Sequence, residues 1–184
     1  PVGLAYLKAA IGKYLPEIKV VIKDYHHGHG RRTIPLPREL AYLKDYYFQD
    51  DKSPFSTFHH YYHFGADFES IAHEVAKEKP NLVGIASLFA PYHREALLCA
   101  EAIKARCPVP ILLGGAQVSA MHEHMLAHPA VDFIIQGEGE KPFVEFLRRF
   151  LPKGDSPSKS SKGTVPFHRD LKHIPNFGYK KNGE

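Results

Sequence analysis

Cysteine is scarce in this chain, and its scarcity excludes several kinds of metal centre. The 184 residues contain no tryptophan and two cysteines, Cys99 and Cys107. These two form neither a CxxC nor a CxxxCxxC pattern, so they cannot hold an iron–sulfur cluster or a zinc ion by themselves. Because Cys99 falls within a predicted helix, we expect it to be a small buried apolar residue.

Long apolar segments are absent as well. No apolar run approaches the ~20 residues that a membrane-spanning helix needs. The chain also does not open with the basic and apolar segment of a secretion signal. Hydrophobic residues make up 43% and charged residues 24%, which is the balance of a globular protein with a core of normal size. We therefore expect a cytoplasmic protein with no membrane partner.

The sequence also lacks a strong excess of charge. Its formal net charge is +4, and the basic residues are dispersed apart from tail clusters such as Lys180-Lys181. A nucleic-acid-binding surface is typically a clustered basic patch. We therefore expect no nucleic-acid partner.

The chain does contain three apolar segments that each stop at small residues. They are residues 82–88 (LVGIASL), 111–115 (ILLGG) and 131–140 (VDFIIQGEGE). Helical periodicity is found at 3–15, 67–79, 95–106, 117–127 and 142–150, and a short strand is predicted at 18–22. Strands that alternate with helices predict an α/β fold, an open parallel sheet with helices on both faces.

Other stretches fall outside this alternation. Residues 25–32 read as a loop, and residues 33–65 form an insertion rich in aromatic residues and histidine, with a helix predicted over 38–47. Aromatic residues at this density predict buried contacts with a cofactor, with another domain or among themselves. Residues 152–163 predict a solvated linker, and the last residues predict a strand that leads into an Asn182-Gly183 turn.

In open α/β sheets, ligands bind at the carboxyl ends of the strands. Small residues follow two of the predicted strand ends and let the backbone approach a large ligand closely: Gly114, Gly115, Ala116, Gly137 and Gly139. The same residues are typical of plain tight turns, so ligand binding and simple packing both stay open. Glu138 and Glu140 are candidate catalytic carboxylates, although Glu140 suits the start of a helix better.

The thirteen histidines raise the question of a metal site. His59 and His63 would share a helix face, and the histidines of residues 26–29 share a loop. Neither group has a carboxylate or cysteine partner at a fixed spacing, so we expect no metal ligands among them. A stand-alone α/β enzyme that uses Glu138 or these histidines is a further alternative, which the absence of a nucleophile motif such as GxSxG disfavours.

Five segments of the chain form a combined pattern: PVGLAYLKAAI, IKVVIKD, KPNLVGIASLF, ILLGGAQVSA and HPAVDFIIQGEGEKPFVEFL. Together they resemble the cobalamin-binding domain at the front of cobalamin-dependent radical SAM enzymes. The resemblance covers residues 1–151 apart from the insertion at 33–65. Within residues 152–184, LKHIPNFGYKKNGE resembles the hairpin that leads to the catalytic barrel. The resemblance implies a flavodoxin-like fold whose usual first strand precedes Pro1 and is absent here.

The resemblance also implies a corrinoid that lies across the strand ends, with its nucleotide tail between strand and helix. It assigns cofactor binding to Ala86, Ser87, Leu88, Gly114, Gly115, Ala116, Gly137, Glu138 and Gly139. Two family patterns are altered here. The SxL pattern reads Ala86-Ser87-Leu88, without its first serine. The DxHxxG pattern has a partial match at Asp24-Tyr25-His26, with His29 where the glycine is due, so we do not assign the cobalt-ligating role to His26.

The CxxxCxxC cluster of radical SAM enzymes is absent from the chain. The resemblance therefore implies that this chain holds cobalamin and contains no catalytic machinery of its own. A separate barrel would bind the 4Fe-4S cluster and S-adenosylmethionine and carry out methyl transfer or a rearrangement. The alternative is a corrinoid-free scaffold or interaction domain of the same fold, which Ala86 and the missing first strand favour somewhat.

Overall fold

A computed structural model describes residues 2–47, 52, 54, 60–151 and 171–180. The chain divides into two compact units. The larger unit comprises Pro1–Ile22 and Phe68–Glu184, and the smaller unit comprises Lys23–Asp67. The smaller unit therefore includes both the predicted loop at 25–32 and the predicted insertion at 33–65. The predicted linker at 152–163 and the predicted Asn182-Gly183 turn lie outside the described residues.

The smaller unit contains an antiparallel pair of strands, β1 (Arg31–Ile34) and β2 (Tyr61–Phe64). The helix predicted over 38–47 is a 3-10 helix, Arg38–Asp45, without a buried residue. It has no packed face of the kind that stabilises most α-helices in proteins. His63 lies on β2 opposite a residue of β1. The prediction that His63 shares a helix face with His59 is therefore wrong for His63, and His59 lies outside the described residues.

The helices of the larger unit follow the predicted periodicity. In the described ranges they are α1 (Val2–Tyr14), α2 (Phe68–Glu78), α3 (His93–Arg106), α4 (Ala116–Ala120), α5 (His122–Ala127) and α6 (Glu140–Phe150). The single helix predicted over 117–127 is two helices, because Met121 leaves the helical backbone conformation (φ −128°, ψ 40°). None of the helices in the described ranges is long and apolar enough to cross a membrane.

The sheet of the larger unit has the order β3 (Val83–Ala86), β4 (Ile111–Gly114), β5 (Phe133–Ile135) and β6 (Phe177–Tyr179). The first three strands are parallel, as predicted. β6 is antiparallel to β5, so the sheet is mixed at this edge. The backbone N–H of Gln136 donates to the carbonyl of Asn176 at 2.9 Å. β6 therefore starts beside the carboxyl end of β5 and runs in the opposite direction.

Both faces of this sheet are buried at β4 and β5, whereas Gly84 and Ala86 of β3 are exposed. Leu112, Phe133 and Ile135 belong to a core cluster with residues of α1 and α6. The neighbouring strand residues, Ile111, Leu113 and Ile134, point to the other face and are equally buried. Helices that cover both faces of a mostly parallel sheet confirm the predicted flavodoxin-like α/β fold.

The strand predicted at 18–22 is absent from the described sheet, so this prediction is wrong. Ile18 and Val20 pack against the core cluster, whereas Val21 and Ile22 are exposed. A β-strand needs a neighbouring strand to pair its backbone N–H and C=O groups. Among the described residues no strand pairs with this segment, although its alternating burial near the core resembles that of a strand.

Candidate functional site

The three parallel strands end at the same edge of the sheet. In the register of the sheet, Ala86 pairs with Gly114, and Gly114 pairs with Ile135. The segments that follow β3, β4 and β5 therefore leave the sheet side by side. This edge brings together the predicted site residues of all three turns.

The end of β3 is hydrogen-bonded to the turn that follows β4. The N–H of Ser87 donates to the carbonyl of Gly114 at 2.8 Å, and the carbonyl of Ser87 accepts from the N–H of Gln117 at 3.2 Å. Ala86 is exposed, whereas Ser87 is only 4% exposed. The Oγ atom of Ser87 is buried and has no hydrogen-bond partner among the described residues. An unpaired buried hydroxyl costs about 1–3 kcal/mol.

Gly115 can only be glycine in this arrangement. Its φ of +117° lies in a region that side chains disfavour, and a Cβ atom built there would overlap the carbonyl oxygen of Ser87. The side chain of Leu88 lies over the same position. Ala116, which is exposed, begins α4 directly afterwards. The Gly114-Gly115 turn thus holds the backbones of two strand ends in close contact.

Ser119 connects the turn after β4 to the turn after β5. Its Oγ atom donates to the carbonyl of Gly115 at 3.1 Å and accepts from the N–H of Gly137 at 2.7 Å. The sequence did not single out Ser119 as a site residue. The available signal was its place four residues after Gly115 on a helix, where a serine hydroxyl reaches the carbonyl one turn earlier.

The remaining predicted residues lie in the turn between β5 and α6. Gly137 has a φ of +62°, and Gly137 and Glu138 are exposed. Gly139 packs against Leu7 of α1, where a Cβ atom would stand 3.2 Å from the leucine side chain. Glu140 is the first residue of α6, which confirms the prediction that it starts a helix, where the dipole stabilises a carboxylate.

Apolar side chains are exposed beside the end of β3. Leu88, Phe89 and Tyr92 are 52%, 63% and 57% exposed. The rings of Phe89 and Tyr92 form an edge-to-face pair with centroids 6.2 Å apart. Met121 is also exposed, and its sulfur accepts from Nε2 of Gln117 at 2.8 Å. We refer to Leu88, Phe89 and Tyr92 as the apolar rim.

The histidines do not form a metal centre in the part of the chain that the structure describes. No group of three or more His, Cys, Asp or Glu side chains is placed there to hold a metal ion. His26 lies in the smaller unit, where its ring stacks on Phe64 and its backbone N–H donates to Oδ1 of Asp24 at 3.0 Å. Backbone hydrogen bonds from His26 and His27 lower the pKa of Asp24.

One comparison with known proteins identifies the family. A family model described as "B12 binding domain" matches residues 54–147, just over half of the chain. The chain belongs to the B12-binding domain family. All nine predicted site residues fall within the matched part of this B12-binding domain, and membership implies corrinoid binding. No curated protein and no solved structure matches the chain in the other two comparisons.

Proposed function

We propose that the larger unit binds cobalamin at the carboxyl edge of its sheet. The observation that carries the proposal is the hydroxyl of Ser87, which is buried at the end of β3 without a partner among the described residues. Native proteins normally pair buried polar atoms, and an exception is often explained by a missing ligand or water. A polar group of the cofactor's tail would give this hydroxyl the partner that it lacks.

The surroundings of Ser87 suit the rest of a corrinoid. The turn at Gly137 is exposed and the turn at Gly114-Gly115 is half-buried, and neither carries a side chain at its glycines that would keep a ligand from the backbone. The exposed apolar rim beside β3 matches the largely apolar surface of a corrin ring, because ligand sites are mostly apolar with a few polar groups that fix orientation. Cobalamin, when bound, supplies a cobalt ion that carries a methyl group. In this proposal the residues of the chain bind and orient the cofactor.

We also propose that this unit serves a radical SAM barrel that binds a 4Fe-4S cluster and S-adenosylmethionine. The support is the resemblance of residues 1–151 to the cobalamin-binding domain of such enzymes, together with β6. β6 lies in the closing segment that resembles the hairpin before the barrel, and it pairs with β5 in an antiparallel direction. In this proposal residues 152–184 lead to the barrel, and methyl transfer or a rearrangement takes place there.

Cobalamin binding is tested with hydroxocobalamin. We expect the purified chain to retain a red chromophore after mixing and desalting, at a molar ratio near one by absorbance. Ser87→Ala is expected to retain less. Asp132→Asn is the matched control, because Asp132 precedes β5 at the opposite edge of the sheet and should retain as much as the unaltered chain. Loss of the chromophore from the unaltered chain on desalting would contradict the proposal.

The radical SAM partnership has a separate test. The full-length protein, purified without oxygen, should contain about four iron and four sulfide ions per chain and should cleave S-adenosylmethionine after reduction. A full-length protein that retains cobalamin but contains no iron would leave cobalamin binding standing and would overturn the partnership.

The corrinoid-free scaffold is the second candidate, and Ala86 favours it. This position has a methyl group where the family pattern places a serine hydroxyl. The same desalting experiment separates the candidates when it includes Ala86→Ser. If the unaltered chain retains no corrinoid and Ala86→Ser retains it, the chain is a scaffold that lost its ligand through this position.

A further inference from the structure

We propose that the docking of β6 against β5 controls how tightly the carboxyl edge of the sheet binds cobalamin. Asn176, at the start of β6, is the positioning residue that links the two. This inference rests on the proposed cobalamin site and adds a regulation of that site by the closing segment, residues 171–180. None of the nine residues predicted to bind the cofactor lies in this segment.

The link is a backbone hydrogen bond beside the candidate site. The N–H of Gln136 donates to the carbonyl of Asn176 at 2.9 Å. Gln136 comes directly before the exposed turn at Gly137. The side-chain nitrogen of Asn176 is also the atom nearest to Gly137, at 4.0 Å from the position of a Cβ atom built there. The turn after β5 is therefore held in part by a residue that is distant in sequence.

Asn176 has a backbone conformation that is uncommon for a residue with a side chain. Its φ is +56°, which asparagine tolerates better than most residues and β-branched residues strongly disfavour. This conformation sets the direction in which the Asn176 carbonyl points. Strained backbone of this kind persists only where the surrounding structure enforces it. The position thus offers a way to move the carbonyl without removing β6.

Several contacts fix β6 on the sheet and so fix the position of Asn176. The ring of Phe177 stacks on that of Phe133, with centroids 5.7 Å apart. Gly178 lies so close to β5 that a Cβ atom would overlap a side chain of that strand. Nζ of Lys180 donates to the carbonyl of His128 at 2.6 Å. If this docking were lost, the acceptor for the Gln136 N–H would be withdrawn with it.

The Gly137 turn has its own reason to need this acceptor. Gly137 has a positive φ, and glycine loses more conformational freedom than other residues when it is ordered. Without Asn176, the described hydrogen bond that still holds the turn is the one from Gly137 to Ser119. A ligand that binds at a loose turn must order it, and this ordering lowers the affinity. Docked β6 therefore preorganises the turn for the cofactor.

The experiment compares the unaltered chain with a graded series at position 176. Hydroxocobalamin affinity is measured by absorbance titration. Asn176→Val should weaken binding by roughly fivefold, as the loss of one hydrogen bond implies, and Asn176→Ala should weaken it less. Asn176→Gly accepts the positive φ and should remain within about twofold of the unaltered chain. Asn81→Val is the matched control, because Asn81 is exposed, precedes β3 at the opposite edge and has no positive φ.

Amide hydrogen exchange tests the link without a titration. In the ligand-free protein, exchange at Gln136 should be faster in Asn176→Val than in the unaltered chain and should be unchanged in Asn176→Gly. Coupling between two binding events is reciprocal. Bound hydroxocobalamin should therefore slow the exchange of the β6 amides in the unaltered chain. Unchanged exchange of β6 in the loaded protein would overturn the coupling.

The outcomes separate this inference from the proposed function. If the unaltered chain binds hydroxocobalamin and Asn176→Val binds it equally well, the inference alone fails. An equal loss in Asn176→Gly and Asn176→Val would mean that the asparagine side chain contacts the ligand directly, which would also overturn the positioning role alone. If the unaltered chain binds no hydroxocobalamin, the proposed function fails and the coupling to cobalamin fails with it, even where exchange at Gln136 responds as expected.

Discussion

The backbone of Gly115 lies directly against the carbonyl oxygen of Ser87. That carbonyl also accepts a hydrogen bond from the N–H of Gln117 at 3.2 Å, which ties α4 to the end of β3. The Gly114-Gly115 turn therefore packs directly against the end of β3, and it is also a candidate ligand contact. This double role predicts that a substitution at Gly115 in the turn and one at Gly84 on β3 affect stability differently.

Gly115→Ala should destabilise the protein by about 2–4 kcal/mol, since the new Cβ meets the Ser87 carbonyl and the backbone has a positive φ. Gly84→Ala is the matched control on β3, where a Cβ would meet nothing within 4 Å. It should be neutral or stabilising by about 0.5 kcal/mol. Urea denaturation followed by circular dichroism measures both. Equal stability of the two variants would show that the turn accommodates a Cβ atom at Gly115 with no loss of folding free energy.

Ser87→Ala should change stability and affinity in opposite directions. Removal of a buried hydroxyl without a partner should raise the free energy of unfolding of the corrinoid-free protein by about 1 kcal/mol. The same change should weaken cobalamin binding by roughly fivefold or more, because a polar contact to the cofactor is lost. Thermal unfolding and absorbance titration measure the two effects. A fall in both quantities would mean that the hydroxyl stabilises the free protein instead.

Cys99 should react slowly with alkylating agents at neutral pH. Burial raises the pKa of its thiol from 9.0 to about 11, and the thiolate is the reactive form. In a Cys107→Ser variant, the iodoacetamide rate at pH 8 should be about 100-fold lower in the native protein than in urea, as two pKa units imply. A native rate close to the rate in urea would show that the partial burial of Cys99 does not protect its thiol in solution.

The same pKa predicts how stability depends on pH. The unfolded thiol loses its proton near pH 9, whereas the folded thiol holds its proton until about pH 11. Between these values the unfolded state binds fewer protons, so the contribution of Cys99 is present below pH 9 and decreases as the pH rises toward 11. Urea denaturation from pH 8 to 10.5 should show less loss of stability in Cys99→Ala than in the unaltered chain.

Asp132 links α3 to the start of β4. Its carboxylate forms an ion pair with Lys104 and accepts from the N–H of Ile111 at 2.7 Å. Asp132→Asn retains an acceptor for the Ile111 N–H and should cost about 0.5–1 kcal/mol, because the lost ion pair is partly exposed. Asp132→Ala also removes the acceptor and should cost about 1.5–3 kcal/mol. Urea denaturation measures the difference, and equal losses would mean that the backbone bond contributes little.

Much of the larger unit could be predicted from local patterns. Phe143, Phe146, Leu147 and Phe150 have helical spacing, and α6 forms over them. The four apolar residues of segment 131–135 and the glycines after it predict a buried strand and a turn, and both are found. These features depend on residues that are near one another in the chain, and their side-chain periodicity directly reports which face is buried.

The candidate site could be predicted only in part. The glycines at the strand ends were identifiable because a turn after a buried strand requires them. Ser119 was not, because its importance comes from a bond to Gly137, eighteen residues away in sequence. The burial of Ser87 beside an exposed Ala86 also depends on how α4 packs at the end of β3.

The sequence by itself determined that this chain forms an α/β sheet with small residues at the strand ends, because strand and helix periods are local properties. Only the tertiary structure decided the partners of the apolar segments. Phe177–Tyr179 pairs antiparallel with β5, whereas residues 18–22 pair with no described strand. Both segments are apolar enough for a strand, but a strand forms only where a neighbour accepts its backbone hydrogen bonds, and that depends on contacts far apart in the chain.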